Sequence, residues 1–157
     1  MKTDRTVVIT GAAGGMGAVF VRRFLDNGDV VIATDTSQDS LAKLAGSMNI
    51  ARLHIRAADI TDEADTKALA ELARQTTGRV DVLVNVAGYF PVQPFLEMTA
   101  ADWRKIIDIN LTGTALMCQA MLPLMTGGGW GRSSTSARRP STPACRARPT
   151  TWPPRPE

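Results

Sequence analysis

The sequence predicts an α/β chain, a parallel sheet with helices on both faces, and three observations predict it. Short apolar runs of strand type alternate with amphipathic helical stretches. The first run empties into a glycine-rich turn that opens a helix. An aspartate stands at the end of the second run. The 157 residues suffice for one domain with a real core, and the apolar fraction of 44% is ordinary for a globular chain.

Thr6-Val7-Val8-Ile9-Thr10 is β-branched throughout and reads as a buried strand. A helix is predicted from about Gly15 to Asn27, with Met16, Val19, Phe20 and Phe24 on one face and Gly28 as its left-handed terminator. Val30–Thr34 is a second strand, Ser40–Met48 a short helix and Leu53–Ala57 a third strand. Asp62–Gln75 is helical, with Leu69, Leu72 and Ala73 inward, and Val80–Val84 is a fourth strand. Thr99 caps a long helix in a capping-box variant with Asp102, and that helix runs to about Met125 before Gly127-Gly128-Gly129. Ile106, Ile107, Ile109, Leu111, Leu116, Met117 and Met121 surround much of it. That width predicts either burial on two sides, the second against a partner subunit, or a deeply buried core helix.

Other classes are disfavoured. No apolar run approaches a membrane span, and the polar start MKTDRTVVIT does not read as a secretion signal. Cys118 and Cys145 lack metal-ligand spacing, so no zinc site or disulfide framework is expected, and the setting is read as reducing and cytoplasmic. The net charge of +3 comes from the tail. Residues 132–157 hold six of the 18 basic residues, all arginine, and only one acid, Glu157. The rest of the chain is close to neutral, which argues against a nucleic-acid-binding domain.

The turn Thr10-Gly11-Ala12-Ala13-Gly14-Gly15-Met16-Gly17 gives the alternation its meaning. Gly11 permits the tight turn, Gly15 lets backbone approach a pyrophosphate, and Gly17 allows close helix–strand packing. The helix start beyond it offers N–H groups and a positive dipole end to phosphates. Asp35 follows Gly17 by 18 residues. A carboxylate there accepts both ribose hydroxyls of an adenosine and repels a 2′-phosphate, and no Lys or Arg lies in the loop, so NAD is preferred over NADP. Each residue alone has a plainer reading, a glycine-rich turn or a strand-end aspartate; together they predict a Rossmann-type domain.

The spacing T-G-x-x-x-G-x-G resembles the short-chain dehydrogenase/reductase family. Asp59-Ile60-Thr61-Asp62 stands where that family has an acid contacting adenine, and Asp81-Val82-Leu83-Val84-Asn85-Val86-Ala87-Gly88 is similar to its D-x-L-V-N-N-A-G. Asn110, in Ile109-Asn110-Leu111-Thr112-Gly113, matches the asparagine of the family's catalytic tetrad, whose main-chain carbonyl holds a proton-relay water. The resemblance covers residues 6–131 and departs at Val86, where a second asparagine is usual. It implies cofactor contacts from Gly11, Gly15, Met16, Gly17, Asp35, Asp59, Ile60, Asn85, Ala87 and Gly88. It also implies hydride transfer between NAD and a carbonyl or secondary alcohol.

The family's chemistry needs a Ser, a Tyr and a Lys further on, and this chain has none in place. Its one tyrosine, Tyr89, is wrongly positioned, no lysine follows Lys105, and His54 sits in a strand as a structural residue. After Trp130 the sequence turns to Arg, Pro, Ser and Thr, with six of the nine prolines and no periodicity. Residues 1–131 are therefore read as an incomplete NAD-binding domain, truncated after the fourth strand and the long fourth helix. Residues 132–157 are read as a disordered, non-native tail.

The genetic code offers a specific account of that tail: reading one base out of frame after Arg132. Ser133–Arg138 back-translate as TCG TCA ACA TCA GCT CGx. Restoring one lost A gives ATC GTC AAC ATC AGC TCG, or Ile-Val-Asn-Ile-Ser-Ser, similar to the family's fifth strand ending in its serine. Across Thr151–Glu157 the same shift permits Y-x-A-S-K-A-G. Trp152, necessarily TGG, fixes the alanine there. Ser, Tyr and Lys then fall at the positions of Arg138, Thr151 and Arg155. The chain itself is expected to be inactive. Homo-oligomerisation belongs to the parent and is doubtful for this chain. The alternative reading is a non-catalytic NAD-binding fragment or interaction module.

Overall fold

The computed structural model describes residues 5–48, 50–126 and 131–135. Five parallel strands, in the order β3-β2-β1-β4-β5, form one sheet. They are β1 Thr6–Thr10, β2 Val30–Asp35, β3 Leu53–Ala57, β4 Val82–Asn85 and β5 Arg132–Thr135. The connecting helices are α1 Gly15–Asp26, α2 Gln38–Gly46, α3 Glu63–Thr76, α4 Ala100–Ile107 and α5 Gly113–Thr126. The Rossmann-type α/β class expected from the alternation is the one observed.

Strand alternation divides the core into two layers. Val7 and Ile9 of β1 face a cluster with Val21, Leu41 and Leu44 of α1 and α2. Val8, between them, faces Leu69 and Ala73 of α3 and Met117, Met121 and Met125 of α5. All five β1 residues are buried, as befits a central strand covered on both faces. At the amino ends of the strands Arg5 forks onto the buried Asp29 through bonds of 3.0 and 2.8 Å. That hydrogen-bonded carboxylate holds the guanidinium above its ordinary value. Asp81 accepts from the Thr6 amide at 2.7 Å, so charge locks the sheet end opposite the glycine turn.

Several boundaries shift for local reasons. α2 begins two residues before the expected Ser40 because the Ser37 hydroxyl accepts from Ser40 N. Asp62 caps α3 from outside, through Ala64 N, rather than belonging to it. Gly28 takes φ 89° just past α1, as its position predicts.

Two differences are larger. The single helix expected from Thr99 to Met125 runs without a gap but widens into a five-residue π turn, Asp108–Thr112, between α4 and α5. The capping box at its start is present, Thr99 Oγ1 accepting from Asp102 N at 3.1 Å and Asp102 Oδ2 from Thr99 N at 2.9 Å. This helix buries one side only. Met117, Met121 and Met125 are enclosed, while Leu111 and Leu122 are 63% and 53% exposed, so it is not a deeply buried core helix.

The sheet also continues past the fourth strand. Arg132–Thr135, expected to begin a disordered tail, pairs with Val82–Asn85 in register, and Arg132 N bonds Asp81 O at 3.0 Å. A ladder needs backbone groups, not apolar side chains, and the β4 edge supplies them; all four residues stay exposed. Residues 136–157, with Cys145 and the rest of the expected tail, lie outside the described residues.

Candidate functional site

The carboxyl ends of β1, β2, β3 and β4 surround a cleft of about 460 Å³. Its floor is the glycine turn. Gly11 has φ 63°, and a Cβ there would stand 2.7 Å from Ala87 N. A Cβ on Gly17 would overlap the Gly11 carbonyl oxygen and lie 2.7 Å from Ala12 Cα. These two glycines are therefore packing requirements. Gly15 differs, since a Cβ there meets nothing within 4 Å and would project into open space. α1 begins at Gly15 behind Gly14, which has no side chain to cap it, so the dipole end faces the cleft.

The turn is tied to its neighbours by side chains. Thr10 Oγ1 accepts from the backbone N–H of Val86 and of Ala87, both at 3.1 Å. Asp35 Oδ2 accepts from Ala13 N at 3.1 Å and Oδ1 from Thr36 N at 2.9 Å, so this carboxylate positions the turn as well as facing the cleft. Asp59 Oδ1 accepts from Thr61 N and Thr61 Oγ1 in a closed turn. Ile60 is buried against α5, where a Cβ on Gly113 would come within 2.7 Å of its Cγ1.

Asn110 lies in the π turn and clasps the loop after β4. Its Oδ1 accepts from Tyr89 N at 3.1 Å, and its Nδ2 donates to Tyr89 O at 2.8 Å and Ile106 O at 2.9 Å. A Cβ on Gly88 would sit 2.9 Å from that Oδ1, so Gly88 is what admits the side chain. The Asn110 carbonyl accepts from Thr114 Oγ1 at 3.0 Å. An asparagine disfavoured within a helix is thus placed where the helix is interrupted. The Lys105 ammonium lies 4.7 Å from the centre of the Tyr89 ring, which is its role here.

A profile of the short chain dehydrogenases matches residues 5–139. The chain belongs to the short-chain dehydrogenase family. It is 34% identical over 142 residues to the D-threitol dehydrogenase of Mycolicibacterium smegmatis, covering 89% of this chain and 55% of that one. It is 32% identical over 120 residues to the meso-2,3-butanediol dehydrogenase of Serratia marcescens, covering 76% and 48%. Among solved structures, a glucose/ribitol-type short-chain dehydrogenase/reductase from Brucella melitensis is similar at TM-score 0.75 and 35% identity, over 79% of this chain and 55% of the other. Levodione reductase is similar at TM-score 0.78 and 30% identity, over 86% and 54%. The chain spans about half the length of the curated relatives it matches.

All of the expected cofactor residues line the cleft except Asn85. Gly11, Gly15, Met16, Gly17, Asp35, Asp59, Ile60, Ala87 and Gly88 converge there, from four separate strand ends. Asn85 is buried beneath the wall, its Nδ2 3.8 Å from Cys118 Sγ. Asn110 acts on the wall from behind, through Tyr89. Thr34, Thr36, Val86, Tyr89, Phe90 and Ile109 also line the cleft, though none of them was expected as a cofactor contact. Thr10, which joins the turn to the β4 loop, was legible only as the first letter of T-G-x-x-x-G-x-G. Positions 138, 151 and 155 lie outside the described residues. Among the described residues no cluster of three or more His, Cys, Asp or Glu could hold a metal, and no helix is long and apolar enough to cross a membrane.

The cleft fits a dinucleotide. The open side of Gly15 leaves room for a pyrophosphate against backbone, and the buried Thr34 hydroxyl at the cleft has no hydrogen-bond partner among the described residues. No basic side chain lines the cleft among the described residues.

Proposed function

We propose that this chain is the cofactor-holding half of an NAD-dependent short-chain oxidoreductase and does not turn over by itself. The observation that carries the reading is a carboxylate, Asp35, at a cleft that no basic side chain lines among the described residues. Asp35 accepts the adenosine ribose hydroxyls and opposes a 2′-phosphate. Gly11, Gly15, Met16 and Gly17 present backbone and the start of α1 to the pyrophosphate, Asp59 and Ile60 flank the adenine, and Ala87 and Gly88 form the far wall. Bound nicotinamide supplies the hydride chemistry. In the parent that hydride passes between NAD and a carbonyl or secondary alcohol, in keeping with the alcohols in the relatives' names. Asn110 is the one member of the catalytic tetrad this chain carries.

Titration of the 157-residue chain with each dinucleotide tests the cofactor reading. NAD is expected to bind measurably and at least tenfold more tightly than NADP; the reverse order overturns it. No NADH is expected from D-threitol or meso-2,3-butanediol at high protein concentration, and turnover by rigorously pure chain refutes the proposed inactivity.

The proposal extends to the reading frame: after Arg132 the gene is read one base out of frame, and residues 132–157 are not selected as protein. The parent is a cytoplasmic homo-oligomer in this reading, with Trp103, Ile107 and Leu111, exposed one helical turn apart, as the candidate contact stripe. Sequencing the genomic locus decides the frame. An uninterrupted frame with no Y-x-A-S-K beyond it in the shifted frame overturns this part and leaves the cofactor reading standing.

A further inference from the structure

The chain has four asparagines, and only Asn27 is followed by glycine; Asn49, Asn85 and Asn110 precede Ile50, Val86 and Leu111. A backbone nitrogen can attack the side-chain amide of the asparagine before it, and a Cβ on the attacking residue hinders that approach. Gly28 has none. Asn27 is exposed at the end of α1, so solvent reaches its amide.

The folded chain withholds the attacking atom. Asn27 has φ −76° and ψ −9°. The Gly28 nitrogen therefore nearly eclipses the Asn27 backbone nitrogen rather than Cβ, and the ring cannot close. Gly28 N donates to Leu25 O at 2.9 Å and Asp29 N to Phe24 O at 3.1 Å, a Schellman closure with Gly28 at φ 89°. The side-chain amide is held as well, Asn27 Nδ2 donating to Asp29 Oδ2 at 3.1 Å. That carboxylate is buried and paired with Arg5. Attack thus requires the last turn of α1 to open first.

We infer that Asn27 is a deamidation site gated by opening of the α1 terminus, and that its products cannot rebuild the closure they came from. In the open turn the Gly28 nitrogen attacks Asn27 Cγ. The N–Cγ bond forms, the Cγ–Nδ2 bond breaks, and Nδ2 leaves as ammonia with the Gly28 proton. Water then adds to one carbonyl of the cyclic imide, giving aspartate or isoaspartate with no change of oxidation state. Aspartate puts a negative charge where Asn27 gave a donor, against Asp29 and at the negative end of the helix dipole. Isoaspartate carries the same charge and also lengthens the backbone by a methylene, which breaks the spacing of the two closure bonds. A transient opening thereby leaves a covalent mark at the sheet end that Arg5 and Asp29 lock.

Peptide mapping of the 157-residue chain, aged at mildly alkaline pH in buffer and in unfolding guanidinium chloride, tests the gate. Isoaspartate is expected at position 27, at least tenfold faster in the denaturant. In buffer its rate is expected to follow amide exchange at Gly28 as low denaturant is added. Equal rates in buffer and denaturant overturn the gate, and no isoaspartate at position 27 of the unfolded chain overturns the site. Two variants test the consequence. Asn27→Asp is expected to lower Tm by about 2–4 °C. Asn27→Ser, which keeps a donor and adds no charge, is expected to lose less than half as much. Equal losses in the two variants, or none in Asn27→Asp, overturn the opposition between the product and Asp29.

Discussion

Gly15 and Gly17 stand two residues apart in one turn and do different work. Gly17 is forbidden a side chain by the Gly11 carbonyl and Ala12 Cα, whereas Gly15 has open space where a Cβ would go. Gly17→Ala is therefore expected to destabilise the chain by about 1–3 kcal/mol through overpacking. Gly15→Ala is expected to leave thermal unfolding nearly unchanged and to weaken NAD binding at least tenfold. Paired melting and titration curves check this; a loss of Tm in Gly15→Ala, or none in Gly17→Ala, contradicts the division. Asp35 is likewise double in role. It bonds Ala13 N, inside the turn, with the same carboxylate that faces the cleft.

Among the elements, the long helix with its π turn carries most of the consequence. α4 is pinned at its start by the Thr99–Asp102 capping box and ends at the π turn that sets Asn110 against Tyr89. The Thr99 hydroxyl, and then its backbone amide, hold the Asp102 carboxyl below its ordinary value. A depressed folded value means the charged form supports the fold. That support is present above the unfolded value and lost as pH falls through the depressed one. Helix signal from α4 is thus expected to fall as pH drops below about 4, and Asp102→Asn is expected to lose that acid dependence. Amide exchange at Trp103, whose N–H bonds Thr99 O, followed from pH 6 to 3, provides the measurement.

At the scale of the whole molecule, a five-stranded sheet is held by two apolar layers, and the second depends on a row of methionines. Met117, Met121 and Met125 join Leu69 and Ala73 beneath β1 and β4. Met121→Ala is expected to cost about 2–5 kcal/mol. That is a large share of the 5–15 kcal/mol typical of a domain, here one with an exposed edge strand. Denaturant melting is expected to show a sharply lowered midpoint; an unchanged midpoint would mean that α5 does not close this layer. β5 is the least committed element, four exposed residues joined to β4 by backbone alone. It lies where the proposed shifted frame would permit Ile, Val and Asn, a strand able to pack as well as pair.

Much of this was legible in one dimension. β-branched runs of five or six residues can be little but strands, and glycine at 11, 15 and 17 with aspartate at 35 can be matched by spacing alone. The cofactor side of the site was read from these local signals, because a βα turn and the strand beside it are close in sequence. The tertiary structure decided what depends on distant neighbours. It sank Asn85 below the cleft, bonded Thr10 to the β4 loop and opened the helix at Asn110 to clasp Tyr89. It drew a strand from residues whose composition argued against one, because the backbone edge of β4 accepts any chain that can extend. Spacing along the chain determined which groups could face a dinucleotide. Only the tertiary packing determined which buried atoms, Thr34 Oγ1 and Asn85 Oδ1, were left without a partner among the described residues.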